Sequence, residues 1–268
     1  MNHDKSAVRT ARVSTAIALA TLGTFLWVGA TTASATPRQD TTTSTTPETT
    51  TTTTIVAPAP TTTVAPAPAP TPTALPLTGE VLSEKSTGAE VFLMQIRLTE
   101  RGYWLSDSPG FFGASTRHGL TAFQKFMGLP RSGKLDAATR FVLGATRDRA
   151  TPMSNKSGRY VEVDLGRQVL IVSENNAVLW VFDISSGKKS TPTPRGTFRV
   201  QRQINGQRIS KLGQLWRPKY FTGGYALHGS PSVPTTAASH GCVRMTNQEI
   251  NFIWDANLIP IGTPITLS

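Results

Sequence analysis

Ala226-Leu-His-Gly-Ser-Pro-Ser-Val-Pro-Thr-Thr-Ala-Ala-Ser-His-Gly-Cys-Val-Arg-Met245 contains the only cysteine of the chain, Cys242, and two of its four histidines, His228 and His240. A thiol attacks as the thiolate, and a neighbouring imidazole is the usual means of making thiolate near neutral pH. His240 stands two positions before Cys242, which in an extended segment puts both side chains on one face. His228 lies upstream, followed by Gly229, Pro231 and Pro234. Those residues favour an irregular loop that folds back and carries a second imidazole toward the sulfur. Gly241 leaves the backbone before the nucleophile sterically open, so its N–H and that of Cys242 can face a developing oxyanion. The residues themselves leave both histidines open as the base.

Two plainer readings compete. A lone cysteine is most often a small buried hydrophobe. Cysteine with histidine also suggests zinc, but a structural zinc site wants four ligands. No carboxylate lies between positions 226 and 248 to complete one. Neither a metal nor a cofactor is expected.

His-Gly, a Pro-containing loop and then Ser239-His240-Gly241-Cys242-Val243-Arg244-Met245 resembles the active-site signature of L,D-transpeptidases, bacterial enzymes that cross-link peptidoglycan. Ser186-Gly187, Thr191-Pro-Thr-Pro-Arg-Gly-Thr-Phe198 and Gly262-Thr-Pro-Ile-Thr-Leu267 resemble the family's flanking segments, so the resemblance covers residues 157–268. It implies that Cys242 attacks the carbonyl between the third and fourth residues of a tetrapeptide stem, releasing D-alanine and forming a thioester. It implies His228 as base, oriented through the Gly229 carbonyl, with His240 as the rival. Oxyanion donors would be the N–H groups of His240, Gly241 and Cys242. Ser239 matches a family position, and a stem carboxylate would suit the Arg244 guanidinium. Trp216, Tyr220 and Phe221, in the segment leading to His228, would wall the substrate cleft or fill the core. An amine acceptor then gives a cross-link, whereas water gives carboxypeptidase activity. A non-catalytic wall-binding protein is the alternative from another class. The family is acylated by carbapenem β-lactams, which are therefore the expected inhibitors. Ser185-Ser-Gly-Lys188 fits a serine D,D-transpeptidase pattern, but its companion Ser-Asp-Asn and Lys-Thr-Gly motifs are missing.

The formal charge of +11 on 268 residues suits a polyanionic partner. No nucleic-acid motif accompanies it, so peptidoglycan stem peptides and glycan are the expected partners, not nucleic acid. Residues 1–35 read as a secretory signal: Lys5, Arg9 and Arg12, an apolar run, then Ala33-Ser34-Ala35 as a small-residue cleavage site. If the signal is retained, it is the only expected membrane contact. Export to the cell envelope follows, and an exported cysteine without an internal partner argues for a function that needs the thiol. Residues 36–78, dominated by Thr, Pro and Ala, cannot bury enough apolar surface to offset ordering entropy and read as a disordered, semi-stiff linker.

Residues 79–148 carry a helical pattern, with helices expected at 90–101, from a Ser115 or Thr116 cap to Met127, and from an Asp136 cap to Leu143. Their layout resembles the three-helix peptidoglycan-binding domain of wall enzymes. If glycan binds there, Tyr103, Trp104 and the Phe111-Phe112 loop would offer sugar-stacking aromatics; taken residue by residue, the same aromatics read equally well as core. His118 reads as a surface or capping residue. After a connector at 146–157 the period changes to two: Val161, Val163 and Leu165 alternate, Val169 to Val172 continues, and Asn175-Asn176 turns into 178–184. Strand-like runs at 197–200 and 225–227 follow, then one clear helix at 247–255. The expected fold is a small all-α three-helix bundle followed by a β-rich, β-sandwich-like catalytic domain.

Overall fold

The computed structural model describes residues 79–268. The signal expected at 1–35 and the linker at 36–78 lie outside the described residues. Among the described residues no helix is long and apolar enough to cross a membrane.

Among the described residues three helices come first: α1 (Ala89–Glu100), α2 (Ala114–Phe126) and α3 (Ala137–Ala145). Val91, Met94 and Leu98, spaced three and four apart, turn one stripe of α1 onto Leu120, Phe123 and Leu143, and all six are buried. Asp136 caps α3 by accepting from the Thr139 N–H at 2.8 Å. Ser115 and Thr116 do not cap α2. Gly113 occupies that place, and the Asp107 carboxylate reaches in to accept from the Thr116 N–H at 2.6 Å. A carboxylate from a preceding loop does the work that a local hydroxyl was expected to do.

Ten strands and one further helix follow: β1 (Arg159–Asp164), β2 (Val169–Glu174), β3 (Ala177–Asp183), β4 (Gly196–Arg199), β5 (Arg202–Gln203), β6 (Gln207–Ser210), β7 (Gly213–Thr222), β8 (Tyr225–Ser230), β9 (Val243–Thr246), α4 (Asn247–Asp255) and β10 (Pro264–Leu267). One sheet runs β3-β2-β1-β10-β4 and the other β5-β7-β8-β9, with β6 paired to β7. Val161, Val163, Leu170 and Val172 of the first sheet share a core with Phe221, Leu227, Val243 and Met245 of the second, and with Ile250 and Ile253 of α4.

The connector at 146–157 does not separate two independent cores. The run Val169-Leu-Ile-Val172 is buried on both faces: Leu170 and Val172 point into the β core, whereas Val169 and Ile171 join Val178 and Val181 beneath the helices. A continuous apolar strand has this meaning. Residues 102–104 also add to the free edge of β3, with the Val181 N–H donating to the Gly102 carbonyl at 2.7 Å and the Trp104 N–H to the Val181 carbonyl at 3.2 Å. Trp104 then enters the β core against Phe182 and Phe252. Gly119 of α2 lies so close to the Trp104 carbonyl that a Cβ there would approach it to 2.8 Å.

These contacts decide between the two readings of the aromatics, core and glycan groove, in favour of core for all but one. Tyr103, Trp104 and Phe112 are buried, and only Phe111 of that set is exposed. The aromatics join the helices to the sheet. His118 is not at the surface either: it is buried with Nδ1 2.7 Å from Asp183 Oδ2, while Lys125 donates to Asp183 Oδ1 and to the Gln168 and Ile184 carbonyls. Desolvation pulls the Lys125 ammonium below its ordinary value, partly countered by Asp183. A buried charge with this many partners is satisfied.

Candidate active site

Strands β8 and β9 run parallel, pairing His228 with Arg244 and Gly229 with Met245. The loop between them is laid over the segment that leaves β3. Ser185 exchanges two backbone hydrogen bonds of 2.9 Å with Arg244, and the N–H groups of Ala238 and Ser239 both donate to the Ser186 carbonyl. At the far end, Thr246 closes a capping box with Glu249 that starts α4, so the chain after Cys242 is fixed within one turn. Burial raises the Glu249 carboxyl to about 7.

Within this frame the backbone around Cys242 is held by hydroxyls. Thr193 Oγ1 accepts from the Gly187 N–H at 2.8 Å and donates to the Gly241 carbonyl at 2.8 Å. Ser239 Oγ accepts from the Gly241 N–H at 3.0 Å and donates to the Cys242 carbonyl at 2.5 Å. Glycine is required at two of these positions by contact. Gly241 has φ 114°, and a Cβ there would lie 2.5 Å from the Tyr225 ring. A Cβ on Gly187 would lie 2.3 Å from the Thr191 carbonyl oxygen.

This arrangement corrects two expectations. The Gly241 N–H is occupied by Ser239 and is not free for an oxyanion. Among the described residues no partner is found for the N–H groups of His240 and Cys242. Ser239, although it borders the cavity, is buried and commits its hydroxyl to the loop backbone rather than to a ligand.

Cys242 and His228 open onto one cavity of about 800 Å³, shared with His240, Arg244, Ser239 and Tyr220. The Cys242 thiol is half-buried, with Sγ 3.8 Å from the Gly224 carbonyl oxygen. His228 is buried, and its Nδ1 lies 2.8 Å from the Gly229 carbonyl oxygen. A carbonyl only accepts, so Nδ1 carries the proton and Nε2 presents its lone pair. Burial lowers the imidazole to about 4, against the raising effect of the Gly229 carbonyl, with Arg244 lowering it further. Burial likewise pushes the Cys242 thiol up, against the lowering effects of the Ala226 backbone and of Arg244. Base and nucleophile are therefore both neutral at rest.

The rival histidine differs. His240 is exposed at the rim, with no side-chain hydrogen bond to orient it among the described residues. Gly229 has its own steric reason, since a Cβ there would meet Asn247 Oδ1 at 2.6 Å and Ile250 at 2.7 Å. Tyr220 does border the cavity, but Trp216 does not. Trp216 donates from Nε1 to Asn251 Oδ1 at 2.8 Å and packs on the core, locking β7 to α4 where the strand bulges at Arg217. Thr193, Gly187 and Tyr225 were not singled out in the sequence. Thr193 and Gly187 lie in segments flagged for resemblance, but their contacts with Gly241 are long-range.

The fold and this site define a class. A family model of the L,D-transpeptidase catalytic domain, YkuD, matches residues 158–267, and one of a candidate peptidoglycan-binding domain matches residues 87–143. A crystal structure of an L,D-transpeptidase from Xylanimonas cellulosilytica is 41% identical with a TM-score of 0.67, covering 72% of this chain and 100% of that one. The chain belongs to the L,D-transpeptidase family. Within it, the YkuD proteins of Bacillus subtilis and Bacillus licheniformis are 34% and 32% identical over 113 and 111 residues. Those matches cover 41% and 40% of this chain and 65% and 64% of the relatives, so the chain spans just under two thirds of their length.

Proposed function

We propose that this protein is a cysteine-dependent L,D-transpeptidase that cross-links peptidoglycan in the envelope of the exporting cell. One observation carries the reading: Cys242 shares a cavity with a buried imidazole whose Nδ1 is committed to the Gly229 carbonyl, leaving Nε2 as the basic atom.

The chemistry follows from two neutral partners. As Sγ attacks the carbonyl between the third and fourth stem residues, its proton passes to His228 Nε2. Charge develops on the carbonyl oxygen, for which the N–H groups of His240 and Cys242 are the available donors. Collapse breaks the C–N bond, and the imidazolium returns the proton to the departing amine of D-alanine, leaving a thioester on Cys242. The amine of a second stem then attacks the thioester carbon. His228 accepts its proton and returns it to the sulfur as the new amide forms. Water in place of that amine gives a carboxypeptidase with the same first half.

Export is part of the proposal and rests on the signal-like residues 1–35. The helical domain is proposed to hold the enzyme on peptidoglycan, with its family match as support. Intact-mass analysis with a tetrapeptide stem, or with a carbapenem, tests the reading. A covalent adduct on the wild type that is lost in Cys242→Ala is the expected result. An unmodified protein that still sediments with cell-wall sacculi would leave only a binding module.

A further inference from the structure

The lobe that carries the site has an unusual charge distribution. Between Asp183 and Glu249 the sequence contains no acidic residue, while lysines and arginines recur throughout. Four of these cations, Arg202, Arg208, Lys211 and Arg244, border the Cys242 cavity, and no carboxylate does. Elsewhere arginines take acidic partners, as Arg117 does with Glu84, Arg159 with Glu174 and Arg217 with Asp255. The four cavity cations take none among the described residues. Arg202 is nonetheless placed: its guanidinium carbon lies over the Tyr220 ring, 3.5 Å from the centroid.

The cations fall into two groups on opposite sides of the nucleophile's sheet. Arg244 is on β9, directly paired with His228. Arg202 is on β5, and Arg208 and Lys211 belong to the β6–β7 hairpin. The sheet order β5-β7-β8-β9 puts three interstrand steps between the groups. At about 4.8 Å per step that is roughly 14 Å, close to the length of about four extended residues.

We propose that this cavity selects stem peptides by their free carboxylates, reading at least two of them, one at Arg244 and one at the Arg202–Arg208–Lys211 group. This rests on the transpeptidase reading and adds the substrate class. A stem whose side carboxyls are primary amides has the same shape and the same scissile bond, but offers these cations neutral oxygens in place of charge-assisted hydrogen bonds. The surrounding positive field also speeds encounter with an anionic peptide, an effect that salt removes.

The test uses the full chain, two tetrapeptide stems identical except for free or amidated side carboxyls, and the rate of acyl-enzyme formation by intact mass. The free-acid stem is expected to acylate Cys242 at least about thirtyfold faster at low salt, with the ratio shrinking as sodium chloride is added. Arg202→Gln together with Arg208→Gln is expected to cut the free-acid rate by about tenfold or more and to shrink the ratio between the two stems. Iodoacetamide, a neutral thiol reagent, reports whether Cys242 stays accessible and folded in the variant. Equal rates on the two stems, or a preference for the amidated one, overturn the proposal while the transpeptidase reading stands. If iodoacetamide alkylates Cys242 but neither stem acylates it, the transpeptidase reading fails and the proposal falls with it.

Discussion

Removing residues 1–149 tests whether the helices are a detachable module or part of the catalytic fold. The cut uncovers Val169, Ile171, Val178 and Val181, all buried beneath the helices, and withdraws Trp104 from the β core. Burying a Val or Ile side chain contributes about 1.5–3 kcal/mol, so the four strand residues alone account for roughly 6–12 kcal/mol. That is an upper value, because unfolded chains already shield some apolar surface. It is still comparable to the whole stability of a typical domain, about 5–15 kcal/mol. The cut also reopens the edge of β3 and strips Asp183 of both Lys125 and His118. The fragment 150–268 is therefore expected to be insoluble or unfolded, measured by circular dichroism and urea titration beside the 79–268 chain. A soluble fragment melting within a few degrees of the longer chain, and acylated at the same rate, would refute the shared-core reasoning.

Gly241→Ala places a Cβ against Tyr225 at a backbone angle that L-residues rarely adopt, a cost of about 1–3 kcal/mol. Acylation should slow by at least about tenfold, read by intact mass, and the melting temperature should fall by roughly 2–12 °C. Thr193→Val breaks the link between Gly187 and Gly241 and should slow acylation by about tenfold, while Thr193→Ser restores it. With His228 held near 4, the acylation rate should rise as pH climbs through about 4 and stay level through neutrality, because the base is already unprotonated there. His228→Gln should remove that acidic limb along with most of the rate. The same lowering has a stability sign: the unfolded chain binds the proton first, so this residue's contribution is lost as pH falls from about 6.5 toward 4.

Much of the architecture was legible because the apolar pattern carries it. The strand at Val169 to Val172, though not its burial on both faces, the Asn175-Asn176 turn and α4 at 247–255 follow from period and turn chemistry. The Asp136 cap was legible for the same local reason. The β6–β7 hairpin was not, since β6 is exposed along its whole length and leaves no alternation to read. His118 misled, and Tyr103 and Trp104 stayed open between core and groove, because their burial depends on β2 and β3, more than sixty residues away in sequence for His118. In the site, residue type and spacing singled out Cys242 but left His228 and His240 open as its base; the preference for His228, which borders the same cavity, came from the resemblance. The diversion of the Gly241 N–H to Ser239 was not, because it depends on the rotamer of one hydroxyl.

The backbone bonds that residues 102–104 make along β3 also bear on how such proteins are assembled over time. A recombination event that swapped the helices for another wall-binding segment would bring in a chain with no matching extended stretch. It would leave a bare strand margin on the catalytic half, open to pairing with neighbouring molecules. A segment that replaced the helices would therefore have to reseal that margin.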